Sequence, residues 1–401
     1  MVLFDGEVIE RFNTNRDDFP AFSEEQINEK YAKGDVRIVT EQGRFQLTTI
    51  ESIVEGSDYI LNPEFQRRHR WDVERKSRLV ESFIMNVPVP PIFLYEVDFS
   101  LYEVMDGLQR LTAIYEFYKN KFALTALEEW KELNGLTYSE LPSQVRKGID
   151  RRYLSSIILL KETAKTPEEA QRLKQLVFER INSGGEKLEP QETRNALYNG
   201  ALNQLCIKLA RNKYFCRIWE IPEPTPEELT CDNLPRELTE NPLFKKMTDV
   251  ELVLRFFAFR HIDNWERMTL EDFLDSFLKQ GNLFNQEVID NYQILFERTI
   301  NLVHDVLGNE AFNLYRIRNG EWKWYRRPTK VVFDPIMQVF SEYIHSPELL
   351  IDKKIEIQEG LTDFYKEKYD DFEGRNTGKS HVVIRIQKMR DFINGVLEAK
   401  K

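Results

Sequence analysis

Asp106, Gly107, Gln109 and Arg110 have the types and spacing to hold an anion. They sit in Val104 to Tyr118, VMDGLQRLTAIYEFY, where a strand-like run breaks at Asp106-Gly107. Leu111, Ile114, Tyr115 and Tyr118 then recur at helical spacing. A glycine at the entry to a helix lets an anion reach unpaired backbone N–H groups at the positive end of the helix dipole. Arg110, one turn in, adds a forked donor matched to phosphate. The same residues also have a purely structural reading, in which Asp106 caps the helix and Arg110 is a solvated charge.

Other stretches carry chemistry of the same kind. FQRRHRW gathers Arg67, Arg68 and Arg70 around His69, a cluster that an anion would hold together and that water would let diverge. WKWYRRPTK interleaves Trp322 and Trp324 with Arg326 and Arg327, suited to stacking bases and pairing with phosphates, or to an edge strand packing its tryptophans inward. GRNTGKS, Gly374 to Ser380, is one residue short of a phosphate-binding P-loop and follows no strand, so it reads as a basic turn leading to Lys379 and Arg385. The five histidines are scattered and none pairs at i+3 or i+4, which argues against a histidine metal centre.

These groups must be positioned by elements the pattern also suggests. IFLYEV and LYEVM predict a hairpin that feeds the Asp106 turn, and RYLSSIILLKE predicts a further strand. NKFAL reads as a short strand, with helices around Ala126 to Asn134 and Ser139 to Ile149. Thr48-Thr49 predict a cap for a helix through Val54, and Thr166-Pro167 open a long helix that ends at Gly184-Gly185. Beyond Gly200 the periodicity is helical throughout. The expected organisation is a polar, irregular lead-in over 1–44, a mixed α/β unit over 45–200 and an all-helical unit over 201–401.

With 401 residues, 41% of them hydrophobic, the chain is long enough for two or three cored units. Its net charge of −11 argues against coating nucleic acid non-specifically. Three basic islands interrupt that acidic background: Gln66 to Arg78, Arg316 to Lys330 and Gly374 to Arg390. Cys206, Cys216 and Cys231 lack zinc or disulfide spacing and read as free thiols. No secretory signal and no apolar run of about 18 residues is evident, so a cytoplasmic protein without a membrane span is expected.

Taken in order, ILNPEFQRRHRW, VPVPPIFLYE, YEVMDGLQRLTAI and VFERINSGGEKLEPQETRNAL resemble the N-terminal domain of GmrSD-type, modification-dependent restriction proteins, in the ParB/sulfiredoxin-like superfamily. The resemblance covers roughly 45–200. It implies an α+β chain, with a ParB/sulfiredoxin-like core carrying an Asp-Gly-Gln-Gln-Arg hallmark associated with nucleotide binding and hydrolysis. Carried across, the hallmark falls on Asp106, Gly107, Gln109 and Arg110, the Gln-Arg after the proline on Gln66 and Arg67, and the Asn-x-x-Gly turn on Asn182 and Gly185. Leu108 stands where the family usually has the first glutamine, which bears on turnover. No HNH-like nuclease domain is recognised in the second half.

The leading expectation is a nucleotide-binding, NTP-hydrolysing regulator of a restriction or phage-defence system. Arg67 and Arg110 would bind phosphates, Asp106 would hold Mg²⁺ or orient water, and Gln109 would position water or nucleotide. Expected partners are a nucleoside triphosphate with Mg²⁺, DNA, a separate nuclease chain and a second copy of the chain itself. One alternative is a non-catalytic DNA-binding module using Arg68, Arg70, Trp322, Trp324, Arg326, Arg327, Lys379 and Arg385. Another is a ParB-like metal-dependent nuclease.

Overall fold

The alternating runs of the first half assemble into one mixed sheet. A computed structural model describes residues 3–10, 23–33, 38–61, 68, 71–164, 166–182, 189–229, 234–372 and 378–399. Five strands, β1 Thr40–Gln46, β2 Tyr59–Ile60, β3 Ile92–Asp98, β4 Leu101–Asp106 and β5 Tyr153–Leu159, lie in the order β1-β5-β3-β4-β2. The β3–β4 hairpin forms as the sequence predicts, and Ser100 takes the left-handed backbone its tight turn needs. β5 runs parallel to β3 and antiparallel to β1, while β2 runs parallel to β4. The register pairs Asp106 with Phe93, so the last residue of β4 lies beside the start of β3.

The helices of this half are α1 Glu24–Lys33, whose described side chains are exposed, and α2 Ile50–Glu55, α3 Val73–Met85, α4 Leu108–Tyr118, α5 Ser143–Asp150 and α6 Pro167–Asn182. Asp72 starts α3 by accepting from Arg75 N at 2.7 Å, and left-handed Asn86 ends it. Leu79, Val80 and Phe83 of α3 share a core with Leu111, Ile114 and Phe117 of α4 and with Ile92 and Leu94 of β3. Each such side chain contributes about 1.5–3 kcal/mol relative to exposure, so the core holds the β4–α4 turn from the strand and helix sides. Thr166 caps α6 as expected, accepting from Glu169 N at 3.2 Å.

Several local expectations give way. The lead-in contributes a helix, α1, and an edge strand, β1, whose polar run TEQGRFQ lacks the apolar alternation of a strand with a buried face. NKFAL is no strand: Leu124 exchanges backbone hydrogen bonds with the 135–136 turn while Phe122 and Leu124 fill the core. Within 126–134 only a single turn, Lys131–Leu133, is helical, and Ala126 sits at φ 52°. Thr49 donates back to Gln46 O instead of capping α2.

The chain packs as two units, Asp17–Leu188 and, with Met1–Arg16, Glu189–Lys401. The second unit contains α7 Pro190–Leu197, α8 Ala201–Leu209, α9 Thr248–Ala258, α10 Leu270–Gly281, α11 Gln286–Leu307, α12 Lys330–Phe340, α13 Lys354–Glu367 and α14 Lys379–Glu398. It is helical except for a hairpin of β6 Leu314–Arg318 and β7 Glu321–Tyr325. Asn319 and Gly320, both at positive φ, make its two-residue turn, a strong hairpin signature that helical periodicity on either side obscured.

Candidate functional site

The β4–α4 turn is built around a residue that must be glycine. Gly107 has φ 97° and ψ 8°, and a Cβ there would lie 2.3 Å from Ile92 Cγ2. Any other side chain would meet both backbone strain and a buried branch of β3. The backbone N–H groups of Leu108, Gln109 and Arg110 open the helix without hydrogen-bond partners among the described residues.

The side chains at this turn are fixed unequally. Gln109 Oε1 accepts from Trp71 N at 3.1 Å, which ties the chain entering α3 to the turn, while its Nε2 is buried without a partner among the described residues. Arg110 Nη2 bonds Asp106 Oδ2 at 2.6 Å and Pro91 O at 3.1 Å, while its buried Nε has no described partner. Arg110 therefore braces the end of β4 against the start of β3 and keeps part of its fork unused. Leu108 is 5% exposed, where a glutamine amide would need a buried partner.

A further charged pair escaped the sequence reading. Lys174 of α6, 8% exposed, donates to Glu103 of β4 at 2.5 Å and lies 5.8 Å from the Tyr95 ring. A lysine beside Leu173 in a buried helical stripe was the available signal. Of the other residues assigned to phosphate, Gln66, Arg67 and Gly185 lie outside the described residues, as does the side chain of Asn182, the last residue of α6.

The residues assigned to nucleic acid separate. Arg70 lies outside the described residues, and Arg68 is 3% exposed. Lys379 donates to Asp263 O, and Arg385 is buried and donates to Asp371 O. Trp322 stacks on Tyr315 and meets Tyr369 edge-on, and Trp324 packs on Tyr315 and Tyr365, so both rings are engaged within their own unit. Strand alternation then turns Arg316, Arg318 and Lys323 to the other face. With Arg326 and Arg327 they line a depression of about 440 Å³ whose lining among the described residues holds no carboxylate, although Glu321 faces Arg318 on the same side of the hairpin. Arg316 and Lys323 are direct cross-strand partners, a like-charge pairing that disfavours the hairpin unless an anion lies across it.

Among the described residues no three His, Cys, Asp or Glu side chains gather as a metal cage. Asp106, the carboxylate assigned to Mg²⁺, is already paired with Arg110. One carboxylate does suit a magnesium ion carried largely on a ligand's phosphates, and it does not suit a free-standing site. Cys206 and Cys216 are buried free thiols whose pKa burial raises, and Cys231 lies outside the described residues.

A strand–glycine–helix turn in an α+β unit, with a mostly helical unit after it, defines the class of architecture. Residues 50–199 match the family model of the GmrSD restriction endonuclease N-terminal domain. Residues 50–199 thus form a GmrSD-type N-terminal domain, which implies a component of a restriction or phage-defence system. Comparison with curated proteins and with solved structures finds no match. No helix among the described residues is long and apolar enough to cross a membrane.

Proposed function

We propose that the chain is a nucleotide-binding regulator within that system, receiving phosphates at the β4–α4 turn. The observation that supports this most is the pairing of Gly107, where no side chain is tolerated, with N–H groups on the helix start, Gln109 Nε2 and Arg110 Nε that have no partner among the described residues. Arg110 is the residue to meet phosphate, and Asp106 the one to hold a Mg²⁺ delivered with the triphosphate. They now hold each other, so ligand entry exchanges one charge partner for another. Leu108 offers no group to orient water, and Gln109 Oε1 is committed to Trp71, so the turn favours binding over rapid hydrolysis. A ParB/sulfiredoxin-like core is part of the same proposal.

Calorimetric titration with each of the four NTPs and Mg²⁺, alongside phosphate release, tests the reading. Saturable binding of at least one NTP is expected, weakened roughly tenfold or more by Gln109→Leu, which removes the amide at similar bulk. Absence of saturable binding, or indifference to both Gln109→Leu and Arg110→Lys, would sink it. Phosphate release that rises in Leu108→Gln would assign the missing step to position 108.

A second reading rests on a different observation, the basic depression on the β6–β7 hairpin, whose lining among the described residues holds no carboxylate. We infer that this face meets a nucleic-acid backbone, its affinity falling steeply with salt.

A further inference from the structure

The two faces of the five-stranded sheet are finished differently. One face is closed: Ile92, Leu94 and Leu154 are 0, 0 and 1% exposed, in the core shared with α3 and α4. On the other face Tyr95 and Leu159 are register partners, and α6 reaches that end through Lys174, which meets Glu103 and the Tyr95 ring. The cover runs out along β5. Leu159 is 3% exposed, Ile157 is half-buried, Ser155 is exposed and Tyr153 is 55% exposed. Phe93, the β3 neighbour of Ile157, is likewise half-buried, and neither belongs to the core that holds Ile92.

The half-open end of this face is the end that carries the β4–α4 turn. The β3–β4 register pairs Phe93 with Asp106 and Leu94 with Val104, so β4 holds one extra residue, Met105, between the two pairs. Without that bulge Asp106 would fall opposite Ile92 and point to the closed face. With it, Asp106 shares a face with Phe93. The Asp106 side chain is 37% exposed and accepts from Arg110 Nη2. Apolar surface at Phe93 and Ile157 thus adjoins the carboxylate, the guanidinium and the helix start of the turn.

We propose that Phe93 and Ile157 form the platform for the base of a nucleotide whose phosphates meet the β4–α4 turn, an inference that rests on the nucleotide reading above. A nucleoside triphosphate has an apolar-faced base at one end and a polyanion at the other. The sheet end matches both in order: a ring and a branched aliphatic side chain for the base, then Asp106, Arg110 and the helix start for the phosphates. Register partners in an antiparallel ladder lie about 5 Å apart, so a single nucleotide spans from Phe93 to the turn. Stacking on an aromatic ring accepts any base, because every base has a π face. Phe93 therefore selects nucleotides over inorganic polyphosphate instead of selecting one base.

The test is calorimetric titration of the full chain, with Mg²⁺, by each of the four NTPs and by tripolyphosphate, which carries the phosphate chain without base or ribose. NTPs should bind roughly tenfold or more tighter than tripolyphosphate. Phe93→Leu keeps an apolar side chain and removes the ring. It should weaken the NTPs roughly fivefold or more and leave tripolyphosphate unchanged. Phe93→Trp should retain NTP affinity and add a fluorophore that NTPs quench and tripolyphosphate does not; thermal melts confirm that each variant folds. Gln109→Leu should weaken both kinds of ligand alike. Equal wild-type affinity for NTPs and tripolyphosphate overturns the platform and leaves the phosphate site standing. So does NTP binding that ignores Phe93→Leu, or a Phe93→Trp signal indifferent to NTPs. Absence of binding by all of these ligands removes the nucleotide reading and this inference with it.

Discussion

The β4–α4 turn and a cleft of about 700 Å³ in the helical unit, lined by Arg194, Arg255, Arg316, Lys330 and Arg385, both present arginine beside a helix start, yet they are made in opposite ways. At the turn, charge is nearly balanced: Arg110 is paired with Asp106, and what is unusual is the backbone, forced by Gly107 against Ile92. In the cleft the α12 start is ordinary backbone, and the unusual feature is a network in which Arg194 and Lys330 share Glu251 while Arg255 pairs with Asp334. Arginines can therefore be held beside a helix start by backbone geometry or by ion pairing, and the two respond to different perturbations. Backbone substitutions should break the turn, while charge substitutions should alter the cleft and its neighbouring hairpin.

The largest expected effect is at the turn. Gly107→Ala places a methyl 2.3 Å from Ile92 Cγ2 at φ 97°, combining left-handed strain with overpacking of about 1–3 kcal/mol each, so roughly 4 kcal/mol in all. Gly395 is the contrasting position, inside α14 with nothing within 4 Å of an added Cβ. Gly395→Ala should be neutral or stabilising by up to about 1 kcal/mol. Two units need not unfold together, so hydrogen exchange of α4 and α14 peptides is the proper readout. Equal protection of α4 in Gly107→Ala and wild type would show that the turn is not geometrically constrained.

The same contrast explains what could be read from sequence. The turn was legible because the four residues assigned to it fall within five consecutive positions, and a strand run, Asp-Gly and a helical run announce it locally. The β3–β4 hairpin and β5 were legible for similar reasons. β1 was not, because an exposed edge strand carries charge instead of alternation. The cleft was invisible because Arg194, Arg255, Arg316, Lys330 and Arg385 come from five elements and meet only through packing. Arg385 had been assigned to an exposed basic surface, yet it is buried. The hairpin was half legible: Trp322 and Trp324 drew notice, while the Asn319-Gly320 turn that sends them inward and Arg316 and Lys323 outward was passed over.

A second, smaller effect shows what a satisfied buried charge looks like in the helical unit, as a reference for the cleft. Glu7 is 2% exposed and accepts from Arg260 at two points, from His261 Nε2, from the Tyr292 hydroxyl and from Phe4 N. Burial pushes its carboxyl up, but the hydrogen bonds from Arg260 and His261 and the Arg260 charge outweigh that and pull it from 4.5 to about 2. A depressed carboxyl stabilises the fold fully above its unfolded pKa and loses that contribution as pH falls through the folded one. About 3 kcal/mol should therefore drain away between pH 4.5 and pH 2. Hydrogen exchange of α11, which carries Tyr292, should show that acid loss in wild type and a flatter profile in Glu7→Gln. An unchanged profile in the variant would mean that Glu7 is not the group being titrated.

The smallest effect on stability tests whether the hairpin's charge excess exists to be neutralised by a ligand. Arg316 and Lys323 face each other across β6 and β7. Lys323→Glu converts that repulsion into a cross-strand ion pair and should stabilise the hairpin by about 0.2–1 kcal/mol. If the basic face serves a nucleic-acid backbone, the same substitution must weaken duplex DNA binding and lower the slope of log affinity against log salt by roughly one. Stability and binding then move in opposite directions, which a merely solvated basic face cannot produce. Measuring the melt and the salt slope on one preparation decides between them: a more stable hairpin with undiminished DNA binding would leave the like-charge pair without a ligand to explain it.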